Sequence, residues 1–134
     1  MAIRLIQQMD AALNAHDLEA FLALFAEDYA SEQPAHPDRA FGGRAQVREN
    51  WSAIFAGVPD FRSQLIRAAA DGDTLWSEWH WQGTKSDGAP MEVAGVIVMG
   101  VREERIAWAR LYTELVEREG AGIDAAVRRM TGER

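Results

Sequence analysis

The sequence predicts a single α+β domain in which three N-terminal helices pack on a curved antiparallel sheet. Up to residue 57 apolar residues recur every three or four positions, and from residue 61 onward they recur every second position. The chain has 134 residues, of which 48% are apolar and 26% charged, as is usual for one globular domain.

The first half of the chain carries the three helical patterns. Ile6, Met9 and Leu13 share one helical face, and Asp17 is a natural N-cap for a second helix that ends near residues 27–28. The third helix is predicted over residues 45–55 and stops at Gly57. A short strand is predicted at 29–33 and a loop at 34–43, because that loop contains two prolines and two glycines.

The second half is predicted to be a meander of four antiparallel strands, with turns at 71–73, 86–88 and 102–104. We predict that residues 1–118 form the domain and that residues 119–134 form a C-terminal tail, with a short helix over 123–130. The predicted strands are residues 61–70, 74–84, 91–101 and 105–117.

The second predicted strand contains a tryptophan-rich stretch, residues 75–82. Successive side chains of a strand point to opposite faces, so the residues of this stretch form two sets, one on each face of the strand. One set contains Trp76, Glu78, His80 and Gln82, and the other Leu75, Ser77, Trp79 and Trp81. The last strand likewise places Trp108, Arg110, Tyr112 and Glu114 on one face. We expect the two polar-aromatic faces to line one small-molecule cavity with indole walls.

In such a cavity His80 is predicted to act as a general acid or base near neutral pH, oriented or charged by Glu78. Arg110 would keep Glu114 ionised, and Tyr112 and Gln33 would hydrogen-bond a substrate oxygen or a water. The alternative is structural: Arg110 forms an ion pair with Glu114 or Glu78 that ties the strands together, and His80 is a core histidine.

Composition excludes several classes of partner. The net charge of −7 would repel a phosphate backbone, so no nucleic acid is expected. No apolar run approaches the roughly 20 residues that span a bilayer, so no membrane association is expected. The chain has no cysteine, which fits a cytoplasmic location, and no residue spacing indicates a metal or cofactor.

Three stretches resemble the nuclear-transport-factor-2-like superfamily, which includes ketosteroid isomerases, SnoaL-like polyketide cyclases and limonene-type epoxide hydrolases. They are residues 11–18 with 23–28, residues 41–44, and residues 94–97 with 105–114. The resemblance implies a cone-shaped fold and dimerisation through the sheet. We expect a homodimer in which Trp79 and Trp81 form part of the interface, because their face would otherwise be an exposed apolar patch.

The resemblance also implies which chemistry to expect. Gln33 stands where ketosteroid isomerases have their catalytic base, and Met9 falls where they have an oxyanion-hole tyrosine, so that mechanism is not expected. Glu114 matches an acid of the cyclases and hydrolases, and Glu78 and His80 align with an Arg and an Asp of the hydrolases. This resemblance implies Glu78, His80 and Glu114 as catalytic residues, and Trp76, Trp108, Arg110, Tyr112, Gln33 and Met9 as substrate-binding residues.

Two functions follow for this chain. The first is a SnoaL-like pocket enzyme that performs cofactor-independent acid/base chemistry on a small apolar oxygenated molecule, by cyclisation, isomerisation or water addition. The second is a non-catalytic ligand-binding or dimeric accessory module on the same fold. A purely structural interaction domain would have no accessible cavity.

Overall fold

A computed structural model describes residues 2–133, which form a six-stranded sheet with helices packed on one face. A single turn of 3₁₀ helix, Pro37–Arg39, lies between β1 and β2. The elements follow in the order α1 (Ile3–Ala15), α2 (Leu18–Leu22), β1 (Phe25–Glu32), β2 (Phe41–Gly42), α3 (Arg44–Gly57), β3 (Arg62–Asp71), β4 (Thr74–Thr84), β5 (Pro90–Arg102), β6 (Arg105–Leu115) and α4 (Ile123–Thr131).

The strand order is β2-β1-β6-β5-β4-β3, and the predicted four-stranded meander forms its β3–β6 part. The first strand differs from the prediction: β1 begins at Phe25, where the second helix was expected to continue, and runs parallel to β6. Its pairing explains the difference, because the Ile106 amide donates a hydrogen bond to the Leu24 carbonyl oxygen at 2.8 Å. Sheet pairing thus overrides the helical periodicity of this segment.

The turn between β5 and β6 contains no glycine. Glu103 and Glu104 both adopt the left-handed region, with φ of 51° and 63°. Two consecutive residues of positive φ are typical of the type I′ turn, whose twist matches that of the strands it joins. The hairpin therefore forms in spite of the steric cost of two non-glycine residues in this region.

The helices cover the sheet face that was predicted to be exposed. Trp79 and Trp81 are 1% and 8% exposed and pack beneath the helices, whereas Trp76 is 50% and Tyr112 is 46% exposed. The prediction that Trp79 and Trp81 form an outer patch is therefore wrong. Strand alternation determines which residues share a face, but only packing against other elements determines which face is covered. Leu75, Ser77 and Ala109 are buried on the same inner face.

The C-terminal segment contains α4, none of whose side chains is buried. Ile123 is 77% and Met130 86% exposed. Among residues 2–133 no helix combines the length and apolar character needed to cross a membrane. The division of the chain at residue 118 stays a prediction.

Candidate functional site

A cavity of about 340 Å³ lies between the helices and the inner face of the sheet. This volume falls within the range of small-molecule sites. Its wall is mostly apolar and comes from α1, α2, α3 and from every strand except β3. The lining residues include Met9, Leu13, Phe21, Phe25, Val47, Ile54, Val93, Ile97, Met99 and Leu111.

Aromatic rings form one side of the cavity. Trp51 of α3 meets Trp81 of β4 edge to face, with ring centroids 5.4 Å apart and an interplanar angle of 85°. Trp51 also contacts Phe21 at 5.2 Å, and Phe61 packs behind both tryptophans. Edge-to-face pairs add stability beyond the area that they bury, so this wall is held in place by its own contacts.

Tyr29 places a phenol group in the cavity wall. Its side chain is buried, and burial raises its pKa from 10.0 to about 12, although a hydrogen bond with Ser31 acts in the opposite direction. Desolvation produces this direction because it penalises the charged phenolate. At neutral pH Tyr29 is therefore protonated and able to donate a hydrogen bond.

Two tryptophans on the inner face of β4 differ in their hydrogen bonding. Trp79 Nε1 donates to Ser77 Oγ at 2.8 Å, and Ser77 Oγ donates to the Ile97 carbonyl oxygen at 2.9 Å. Trp81 Nε1 is also buried, but nothing in the described part of the chain accepts a hydrogen bond from it. Trp81 lines the cavity and Trp79 is absent from its lining.

The mouth of the cavity carries charged side chains. Glu114 lines the cavity, and its Oε1 accepts a hydrogen bond from His36 Nε2 at 2.5 Å. His36 belongs to the loop before β2 and is partly exposed. Beside them, Arg39 Nη1 donates to Gln33 Oε1 at 3.0 Å, and both of these residues line the cavity. Because a carboxylate can only accept, His36 Nε2 is the donor of this hydrogen bond.

The cavity includes three of the predicted site residues: Met9, Gln33 and Glu114. The other six lie on the outer face of the sheet and do not line it. The predicted convergence of both polar-aromatic faces in the cavity is therefore wrong, because Ser77, Trp79 and Trp81 occupy the inner positions of β4. The six outer residues are Trp76, Glu78, His80, Trp108, Arg110 and Tyr112.

The predicted partnership of Glu78 with His80 is also absent. Arg67 Nε contacts Glu78 Oε1 at 2.9 Å, whereas His80 Nε2 donates to Glu92 Oε2 at 2.6 Å. Hydrogen bonds from Arg118 and then from His80 lower the pKa of Glu92 from 4.5 to about 2. These contacts tie β4 and β5 to the segment after β6. His80 thus has a structural contact, but on the outer face of the sheet and not as the core histidine of the structural alternative.

His36, Tyr29, Arg39 and Trp81 are site residues that the sequence patterns did not select. A titratable residue in a loop between two prolines is the only signal for His36, and Trp81 had been placed on the opposite face. Among residues 2–133 no group of three His, Asp or Glu side chains lies close enough to hold a metal ion.

Comparison with known proteins assigns the family. Residues 6–109 match the family model of the SnoaL-like domain. The chain belongs to the SnoaL-like domain family. None of the curated proteins compared with it matches.

Solved structures share the fold of this SnoaL-like protein. IdmH of Streptomyces antibioticus, described as a proposed polyketide cyclase, is 21% identical with a TM-score of 0.73, over 85% of this chain and 92% of its own. RV0760c of Mycobacterium tuberculosis, in complex with estradiol-17beta-hemisuccinate, is 21% identical with a TM-score of 0.71, over 83% and 92%. A Catenulispora acidiphila protein of ketosteroid isomerase-like fold, in complex with trimethylamine, is 20% identical with a TM-score of 0.68, over 79% and 82%. At these identities the likeness establishes the fold alone.

Proposed function

We propose that this SnoaL-like protein is an enzyme that performs cofactor-independent acid/base chemistry on a small apolar oxygenated molecule. One observation carries the proposal. Glu114 lines a mostly apolar cavity and is hydrogen-bonded to His36 at 2.5 Å, so a carboxylate and an imidazole are in direct contact at the cavity mouth. Such pairs are the usual groups of general acid/base catalysis.

In the proposed mechanism Glu114 is the catalytic residue, because its side chain borders the cavity, and His36 is its proton partner. The Glu114 carboxylate accepts a proton from the bound molecule, and His36 stabilises the resulting charge arrangement through the hydrogen bond on Nε2. Return of the proton to another atom of the molecule completes an isomerisation. In a cyclisation the carbanion attacks a carbonyl carbon of the same molecule, and the alkoxide oxygen that forms takes the proton back from Glu114. In a water addition to an epoxide Glu114 instead takes a proton from water, the water oxygen attacks a ring carbon, the C–O bond of the ring breaks, and the alkoxide that leaves takes the proton. Tyr29, protonated at neutral pH, donates to a substrate oxygen that gains negative charge.

The test is turnover of a panel of ketones, polyketide esters and epoxides by the wild type and two matched variants. Glu114→Gln keeps the shape of the side chain but removes the proton acceptor, and we expect kcat to fall about 10²- to 10⁴-fold. Glu78→Gln makes the same change on the outer face and should leave kcat unchanged. Equal kcat in the wild type and Glu114→Gln would remove the proposed role of Glu114.

A ligand-binding module is the second candidate function. The observation in its favour is that the buried polar groups of the cavity wall, on Tyr29, Ser31 and Trp81, are all neutral, with charged groups only at the mouth. The small-molecule complexes of the structural relatives support a small-molecule partner for either function. A module would quench tryptophan fluorescence on binding and release the ligand chemically unchanged.

We also propose that two copies pair through the outer face of the sheet. Support comes from three aromatic side chains on that face, Trp76, Trp108 and Tyr112, which are 50%, 37% and 46% exposed. Exposed aromatic groups at this density are typical of protein interfaces. This surface replaces the predicted one at Trp79 and Trp81, which the helices cover. The cytoplasmic location stays a prediction.

A further inference from the structure

The indole N–H of Trp81 is a buried donor that has no acceptor in the described part of the chain. The Trp81 side chain is 8% exposed, and no acceptor among residues 2–133 reaches its Nε1. A buried donor left unpaired costs free energy, and for this reason nearly all such groups in proteins have a partner. The missing acceptor at Trp81 therefore calls for a physical explanation.

Trp79 is an internal comparison for Trp81. The two tryptophans lie on the same face of the same strand, two residues apart, with ring centroids separated by 6.0 Å. Trp79, which does not line the cavity, donates to Ser77 Oγ at 2.8 Å. Trp81, which does line the cavity, is the one without an acceptor. The indole that lacks an acceptor is thus the one that lines the cavity. We therefore expect a molecule bound in the cavity to supply the acceptor for Trp81.

We infer that Trp81 is the specificity residue of the cavity and that it binds the oxygen of a carbonyl group of the substrate. An indole N–H only donates, so it pairs with a carbonyl oxygen and gains nothing from a hydrocarbon. The surrounding wall, formed by Trp51, Phe21 and apolar side chains, suits the carbon skeleton of such a molecule. The substrate class is an apolar ketone or ester.

Sheet register places this carbonyl group away from the reacting atom. Trp81 pairs with Val93 of β5, and Val93 pairs with Leu115 of β6, the residue after Glu114. Two strand spacings separate β4 from β6, a backbone distance of roughly 10 Å. Trp81 therefore positions the far end of the molecule, while Glu114 acts at the other end. The role that this inference gives to Glu114 rests on the proposed function. The binding of the carbonyl group by Trp81 does not depend on it.

The test compares the binding of two probes that differ in one oxygen: α-tetralone, a bicyclic ketone, and tetralin, its hydrocarbon counterpart. We expect the wild type to bind α-tetralone about tenfold more tightly than tetralin, as measured by calorimetry. Trp81→Phe keeps an aromatic ring but removes the donor, and should abolish the preference. Trp51→Phe removes another cavity-lining indole and should weaken binding of both probes while preserving their ratio.

Nuclear magnetic resonance gives a readout at the donor atom itself. The chain has five tryptophans, so each indole N–H gives a separate signal. The signal missing from Trp81→Phe should move on addition of α-tetralone and stay in place with tetralin. If Trp81→Phe does not fold, single Phe variants of the other four tryptophans assign the Trp81 signal by elimination, and the wild-type shifts carry the same test.

The outcomes separate this inference from the proposed function. Equal affinity for both probes, or an unmoved Trp81 signal, would overturn the role of Trp81 and leave the turnover test of Glu114 unaffected. Binding of neither probe would overturn the inference and also count against a small-molecule site in the cavity. If Trp81→Phe prefers α-tetralone over tetralin as strongly as the wild type does, another group recognises the oxygen and the inference is overturned.

Discussion

Replacement of Gly95 with alanine places one methyl group in the middle of β5, against the strand that carries Glu114. Gly95 has a φ of +151°, and a Cβ at this position would lie 2.2 Å from the Tyr112 carbonyl oxygen and 2.6 Å from Thr113 Cα. Both atoms belong to the backbone of β6, so no side-chain rotation relieves the clash. The strands must separate by roughly 1 Å, and we expect Gly95→Ala to lower the free energy of unfolding by about 3 kcal/mol or more.

Gly88→Ala is the matched control. Gly88 also has a positive φ, +86°, but an added Cβ there meets nothing within 4 Å. This variant isolates the cost of the left-handed backbone, which is about 1 kcal/mol. The difference between the two variants therefore measures the clash with β6 together with the additional backbone cost of an alanine at a φ of +151°.

Urea denaturation followed by tryptophan fluorescence, at one protein concentration for all variants, gives both free energies. The melting temperature of Gly95→Ala should fall by roughly 10 °C. A free energy of unfolding for Gly95→Ala within about 0.5 kcal/mol of that for Gly88→Ala would refute the close approach of β5 and β6 at this position.

Three further predictions concern titration and assembly. The Tyr29 phenol should titrate near its raised pKa of about 12, so its contribution to stability is complete below pH 10 and is lost as the pH rises through 12. Phenolate absorbance of the wild type, compared with that of Tyr29→Phe, measures this titration. A rise in the Tyr29 absorbance at pH 10 would contradict the prediction. Glu92 has a pKa lowered to about 2, so its stabilising contribution is complete above pH 4.5 and is lost as the pH falls through 2. Glu92→Gln should therefore lose less stability than the wild type as the pH falls. Identical acid unfolding curves for the two proteins would show that the contacts of Glu92 with Arg118 and His80 contribute nothing to stability. The wild type should sediment as a dimer at micromolar concentration and Trp76→Ser should shift it towards monomer, whereas a wild-type monomer would exclude pairing through the outer face.

Much of the fold follows from local patterns in the sequence. Period-two alternation identified β3 to β6, and Gly57 ended α3 as predicted. The start of β1 at Phe25 did not follow, because its pairing with β6 depends on a segment about eighty residues away that local periodicity does not report. The segment does have helical periodicity, but from Phe25 onward it forms a strand paired with β6.

The orientation of β4 shows why the site was harder to predict than the fold. Alternation separated the two residue sets correctly, but family positions suggested that Glu78 and His80 face the cavity. Energetics favour the opposite choice: a buried indole removes roughly 150 to 250 Å² from water, whereas a carboxylate inside an apolar cavity loses its hydration. Trp79 and Trp81 are therefore inside, and the charged side chains contact Arg67 and Glu92 outside.

The contact between His36 and Glu114 lies beyond any local pattern. The two residues are 78 positions apart, one in an irregular loop and the other near the end of β6. Only the packing of the loop over the cavity mouth brings them to 2.5 Å. Glu114 was identified from the family resemblance, but its predicted partner was Arg110, and the predicted imidazole of the site was His80, paired with Glu78.

A crystal structure of the protein with α-tetralone bound tests most directly the claim that the helix-covered face holds the site. We expect the molecule to lie between α3 and the inner face of the sheet, with its oxygen about 3 Å from Trp81 Nε1. Binding on the outer face, beside Trp76 and His80, would contradict it and restore the orientation that the sequence first indicated.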